Sequence, residues 1–198
     1  MQCKTLCAAA LALAALSGCV APVGPVEVTR FHVPDVSPLG RGAISIEPAP
    51  GMDGQSLEFR SYAAAVMRQL TLLGYGEQIA GSTSPQVAVM RIERQSYQPQ
   101  RARGPVSVGV GGSTGSYGSG IGVGIGLDLS GPPPEQVETL LAVTIKDRAS
   151  NQAIWEGRAS FTVNAKSPMA GTQLGAAKIA EALFKGFPGT SGETIEVK

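Results

Sequence analysis

The run from Val26 to Val33 (VEVTRFHV) is rich in strand-forming residues and stops at Pro34, which predicts a β-strand. Ala43 to Glu47 (AISIE) predicts a second strand, closed by PAPG. The period then changes. Phe59, Ala63, Val66, Met67, Leu70 and Leu73 recur every three or four positions, one stripe of an amphipathic helix. Asp53 or Ser56 is placed to cap its start, and Gly74 to end it. Alternation returns over Gln86 to Tyr97, with Ala88, Met90 and Ile92 on one side. A hairpin follows later: Val137, Thr139, Leu141, Val143 and Ile145 alternate going out, DRASNQ turns, and Trp155, Ala159, Phe161 and Val163 share a face coming back. Ser167-Pro168 opens a last helix with the stripe Ala176, Ile179, Ala180, Leu183, Phe184 and Phe187, ended by Gly186 and Pro188.

Between the halves lies VSVGVGGSTGSYGSGIGVGIGLDLS, residues 106–130. Val106, Val108 and Val110 alternate with Ser and Gly; Ile121, Val123, Ile125, Leu127 and Leu129 alternate with Gly and Asp. Strict period two predicts a hairpin with one branched face and one bare face, joined by GSTGSYGS. Its place is open between an internal extension of the sheet, a protruding ribbon touching lipid or a partner protein, and disorder. The strand and helix order predicts an α+β fold: an antiparallel sheet of about six strands, two amphipathic helices on one face, and the glycine-rich β-hairpin in the middle.

The N-terminus obeys another rule. Lys4 precedes an apolar run from Leu6 to Leu16, too short for the ~20 residues of a membrane-spanning helix and matched to a secretory signal. The run ends at Leu16-Ser17-Gly18-Cys19, which resembles the lipobox of bacterial lipoproteins. The resemblance implies cleavage between Gly18 and Cys19, a diacylglycerol on the Cys19 thiol and usually a further fatty acyl chain, such as palmitate, on the new amino terminus. Val20 at the next position implies delivery to the outer membrane. The expected organisation is a signal peptide over 1–18, a lipidated tether over 19–25, one domain over 26–188 and a flexible tail over 189–198. The other two of the three cysteines, Cys3 and Cys7, fall in the removed segment, which leaves no free thiol for a disulfide, zinc or nucleophile.

Charge and motifs narrow the chemistry. A net charge of +1 over 198 residues argues against nucleic acid as a partner. No glycine carries the spacing of a phosphate loop or a dinucleotide turn, and no cofactor or metal is expected. GGSTG places Ser113 in a GxSxG pattern, the basis of an alternative reading as an envelope hydrolase, but no helix pattern follows it and His32 is the one histidine to act as base. Arg91, Arg94, Arg101 and Arg103, with Tyr117 in the glycine segment, are candidates for an interaction surface toward lipid headgroups or cell-wall polymer. The other reading of the arginines is a solvated strand edge and loop.

Several stretches together resemble a bacterial lipoprotein family, domain of unknown function 4136. They are the early strand with Phe31, the helix ending LLGYGE, the QVAVMRI strand, the glycine-rich middle, LLAVTIKDRASNQAIWEGRASF with Trp155, and the close at Phe187-Pro188. The resemblance covers residues 26–188. AISIE departs from it, since members often carry a Tyr- or Phe-rich strand there. It implies an α+β envelope lipoprotein and brings no catalytic residue. The expectation is therefore a non-enzymatic binding or scaffolding module, anchored by membrane lipid at the periplasmic face of the outer membrane, with an envelope protein or the cell wall as partner.

Overall fold

The computed structural model describes residues 24–77, 83–100, 106–115, 118–127 and 132–198, with side chains outside 101–131. Among the described residues, nine strands, two α-helices and a short 3-10 turn follow in the order β1 (Val26–His32), β2 (Ala43–Pro48), α1 (Leu57–Leu72), β3 (Gly76–Glu77), β4 (Gln86–Tyr97), β5 (Val106–Gly115), β6 (Gly118–Leu127), β7 (Gln136–Asp147), β8 (Ala153–Asn164), the 3-10 turn (Pro168–Ala170), α2 (Thr172–Phe184) and β9 (Thr194–Val197).

Seven strands make one sheet in the order β3-β2-β4-β7-β8-β1-β9, and β5 and β6 make a separate two-stranded ribbon. The main sheet is mixed, which corrects the expected antiparallel sheet of about six strands. β2 runs parallel to β4 and to β3, while every other pairing in it is antiparallel. Connection length is the reason. Parallel neighbours need a crossover of a dozen residues or more, and the 16-residue α1 supplies it between β2 and β4. The added strands β3 and β9 carry too few residues to show a period. β9 lies in the stretch 189–198 expected to be a flexible tail; it pairs with β1 from Val26↔Val197 to Thr29↔Thr194.

Local rules place the helices. Ser56 caps α1, its hydroxyl accepting from the Phe59 N–H at 3.1 Å. Gly74 follows with φ 102°, and a side chain there would meet the Gly40 carbonyl at 2.7 Å. Ser167 caps only the 3-10 turn, so α2 begins five residues later than its capping signal, at Thr172.

Both helices pack on one face of the sheet. Phe59, Tyr62, Val66 and Leu70 of α1 and Ala176, Ile179, Ala180 and Leu183 of α2 share a core with Val26, Val28, Met90, Leu141, Val143, Ala159 and Phe161. Trp155 is 1% exposed; it stacks on Phe184 at 5.3 Å, meets Phe187 at 5.1 Å and donates its indole N–H to the Pro188 carbonyl at 3.0 Å.

Candidate functional site

Alternation that buries one sheet face leaves the other open. Arg91, Glu93 and Gln95 of β4 are exposed on it, while Leu140, Ala142 and Thr144 of β7 are half-buried at its centre. Its charges are largely internally matched: Arg158 pairs with Glu156 at 2.6 Å, Arg91 lies 3.9 Å from Glu93, and Gln95 donates to Glu138 at 2.9 Å. A face so balanced has little field to steer a charged polymer.

A groove of about 330 Å³ opens where β1 ends beside the start of β8, lined by Phe31, His32, Val33, Ile154, Glu156 and Ser191 among others. A serine and a histidine meet here, but not as nucleophile and base. The Ser191 hydroxyl accepts the His32 backbone N–H at 3.0 Å and donates to the His32 carbonyl at 3.3 Å. The ring nitrogens face carbonyl oxygens, Nδ1 at 2.8 Å from Val33 and Nε2 at 3.3 Å from Gly189. The ring is therefore held by backbone, whereas a triad base needs a carboxylate on one nitrogen and the nucleophile on the other.

The structure divides the arginines proposed as one surface. Arg91 and Arg94 are three apart on a strand and point to opposite faces. Arg91 reaches the Pro50 carbonyl on the open side at 3.3 Å. Arg94 lies on the helix side and ties both helix starts to the sheet, donating to Glu58 at 3.0 Å, to Thr172 at 3.2 Å and to the Ala170 carbonyl at 2.6 Å. Arg101, Arg103, Tyr117, Gly18 and Cys19 lie outside the described residues. Ser113 sits within β5, opposite Gly120, and a strand residue lacks the strand-turn-helix geometry that a GxSxG nucleophile needs. Among the described residues, no three of His, Cys, Asp and Glu gather as a metal would require, and no helix is long and apolar enough to cross a membrane.

Two inward groups escaped the sequence reading. Arg30 is 4% exposed and donates to the carbonyls of Ala182, Leu183 and Lys185 at 3.1, 3.0 and 2.7 Å. It thereby caps the C-terminus of α2, where a cation also meets the negative end of the helix dipole. Burial lowers its pKa and the Glu193 carboxylate opposes that shift. Period two gave a signal: Arg30 follows Val26 and Val28 on the core side. Tyr62 is the other. Burial raises its hydroxyl pKa, and Arg94 and a hydrogen bond with Thr139 pull the other way.

Comparison with known proteins adds kinship. Residues 45–189 match the family described as Domain of unknown function (DUF4136). Uncharacterized protein ZMO1243 of Zymomonas mobilis is 32% identical, over 88% of this chain and 80% of its own length. Among solved structures, a PDZ domain protein from Parabacteroides distasonis overlays 88% of this chain and 39% of its own, at 9% identity and TM-score 0.49. The PelC dodecamer from Paraburkholderia phytofirmans overlays 80% of this chain and 96% of its own subunit, at 12% identity and TM-score 0.38. At these scores neither overlay carries an inference about fold or assembly.

Proposed function

This chain belongs to the DUF4136 family, and on that premise we propose that it is a lipid-anchored envelope protein, a non-enzymatic binding or scaffolding module at the periplasmic face of the outer membrane. One observation carries the reading: Leu16-Ser17-Gly18-Cys19 at the end of a short apolar run behind Lys4. Each acyl CH₂ buried in lipid contributes about 0.8 kcal/mol, so stable anchoring takes more than one chain.

The fold supports tethering as the mode of action. Gly24 leads into β1, which lies between β8 and β9, so an anchor at Cys19 would be only a few residues from the sheet. A domain held near the bilayer meets neighbours at raised effective concentration. The open, charge-matched sheet face then suits docking of an envelope protein or cell-wall polymer better than attraction of one charge sign.

Replacing Cys19 with Ser should move the protein from the membrane fraction to the soluble periplasmic fraction. Intact-mass measurement on protein from a native bacterium should give a chain starting at Cys19 that carries acyl chains. A bare polypeptide mass, or a C19S variant that stays with the membrane, would overturn the proposal.

A further inference from the structure

The glycine ribbon and the lipid-bearing terminus belong to the same end of the sheet. β4 ends at Tyr97, which pairs with Gln136 at the start of β7, and Gln136 pairs with Asn164 at the end of β8. The chain between Tyr97 and Gln136 contains β5 and β6, so both feet of the ribbon stand there. Gln98 ties the feet together, donating to the Pro133 carbonyl at 3.1 Å. β1 starts at this end too: Glu27 pairs with Ser160, and Gly24 runs beside the Thr162 carbonyl. β1 is separated from β7 only by β8, which at about 4.8 Å per strand puts the tether roughly 10 Å from the nearer foot. Five residue steps join Gly24 to Cys19, a reach of at most about 18 Å.

Register gives the ribbon two unlike faces. Val106 pairs with Leu127, Val108 with Ile125 and Val110 with Val123; the alternate pairs are Ser107 with Gly126, Gly109 with Gly124 and Gly111 with Gly122. Directly opposed residues share a face, so one face is set by branched residues and the other by Gly and Ser. With Ile121, opposite Gly112, the branched face covers seven residues of β6, about 24 Å at 3.4 Å per residue and about 17 Å when tilted by 45°. A strand crossing a bilayer needs an apolar band of about 25 Å. The branched face is too short to cross and long enough to lie in one leaflet, its edges hydrated at the headgroup level. Tyr97 at the foot, 44% exposed, is the kind of side chain that settles at that level.

We infer that the ribbon β5–β6 is a second membrane contact, its branched face lying on the leaflet that holds the acyl chains and its Gly and Ser face turned to water. This rests on the anchoring at Cys19 proposed above. Two contacts at one end would fix the orientation of the domain and turn the opposite end, with the β7–β8 turn and the His32 groove, toward the periplasm.

The acylated mature chain offers no other free thiol, so nitroxides can be placed singly by V108C, I125C, G109C and A149C. Ala149 marks the opposite end of the sheet, since β7 spans 12 residues from Gln136 to Asp147. Each labelled, acylated protein is reconstituted in phosphatidylethanolamine–phosphatidylglycerol vesicles. Relaxation by oxygen and by a water-soluble nickel chelate is then compared, with Trp155 emission reporting an intact fold. The ratio of oxygen to nickel accessibility should be several-fold higher at 108 and 125 than at 149, with 109 close to 149. Water-like ratios at both 108 and 125 in a protein whose mass shows its acyl chains would overturn the ribbon contact and leave the anchor standing. Low access to both reagents at 108 and 125 would overturn it in favour of a protein partner. Lipid-like ratios at 108 and 109 together with vesicle leakage would overturn it in favour of a crossing structure. A mass without acyl chains defeats the anchor, and the ribbon contact with it.

Discussion

Gly157 shows how one atom constrains the core. Its missing side chain is the floor on which the Trp155 ring lies: a Cβ there would collide with that ring and come within 2.8 Å of Leu183 Cδ1. Packed interiors resist added volume. Replacing Gly157 with Ala should cost about 1–3 kcal/mol. Urea unfolding followed by Trp155 emission should show a lower midpoint at an unchanged slope; a midpoint equal to the parent protein's would remove the glycine from this role. Surface residues are held by bonding rather than by space. Asp147 accepts from the Ser150 N–H and hydroxyl, both at 2.8 Å, which lowers its pKa and fastens the β7–β8 turn. A carboxylate depressed in the folded state stabilises above its unfolded pKa, and that contribution fades as pH falls through the folded value.

Elements meet through a few polar joints. Arg30 links β1 to the end of α2, and Arg94 links β4 to the starts of α1 and α2. Neither link follows from the helix patterns, which show only where apolar stripes run. Arg30→Met keeps most of the side-chain length and removes three donated bonds, leaving the carbonyls at the end of α2 without their charged donor in a buried place. Bonds to a charged donor contribute more than neutral ones, so the loss should be roughly 2–4 kcal/mol. Chemical denaturation measures it; a loss under about 0.5 kcal/mol, within the range of ordinary surface changes, would show that water replaces the guanidinium. The helix patterns themselves were legible. Ser56 and Gly74 bound α1 as their types suggest, whereas Ser167 misled because its capping bond closes a single 3-10 turn. The strands β4 and β8 run over the residues their alternation marks, but β3 and β9 are held by pairing with β2 and β1 and are too short to announce themselves.

At the scale of the whole molecule, the main sheet closes without the ribbon. Tyr97 and Gln136 are already paired where the ribbon leaves, and β5 pairs in the sheet topology with β6 alone. Replacing residues 101–131 with a short Gly-Ser turn should therefore leave the thermal midpoint of the domain within a few degrees, the range set by ΔΔG below about 1 kcal/mol. A large drop would mean that the ribbon packs on the domain.

Sequence alone determined the local matters here: which of the longer stretches are strands or helices, where most of them stop, the two-faced ribbon, and the short apolar run followed by Ser17-Gly18-Cys19. Each is written in neighbouring residues, through a period, a cap or a short motif. Only the tertiary structure decided that α1 makes β2 and β4 parallel, that residues 194–197 join the sheet, that Arg91 and Arg94 face apart, and that Arg30 is a buried cap. Those outcomes depend on partners far along the chain; a turn between two alternating runs records a hairpin neighbour, but no local pattern records a more distant one.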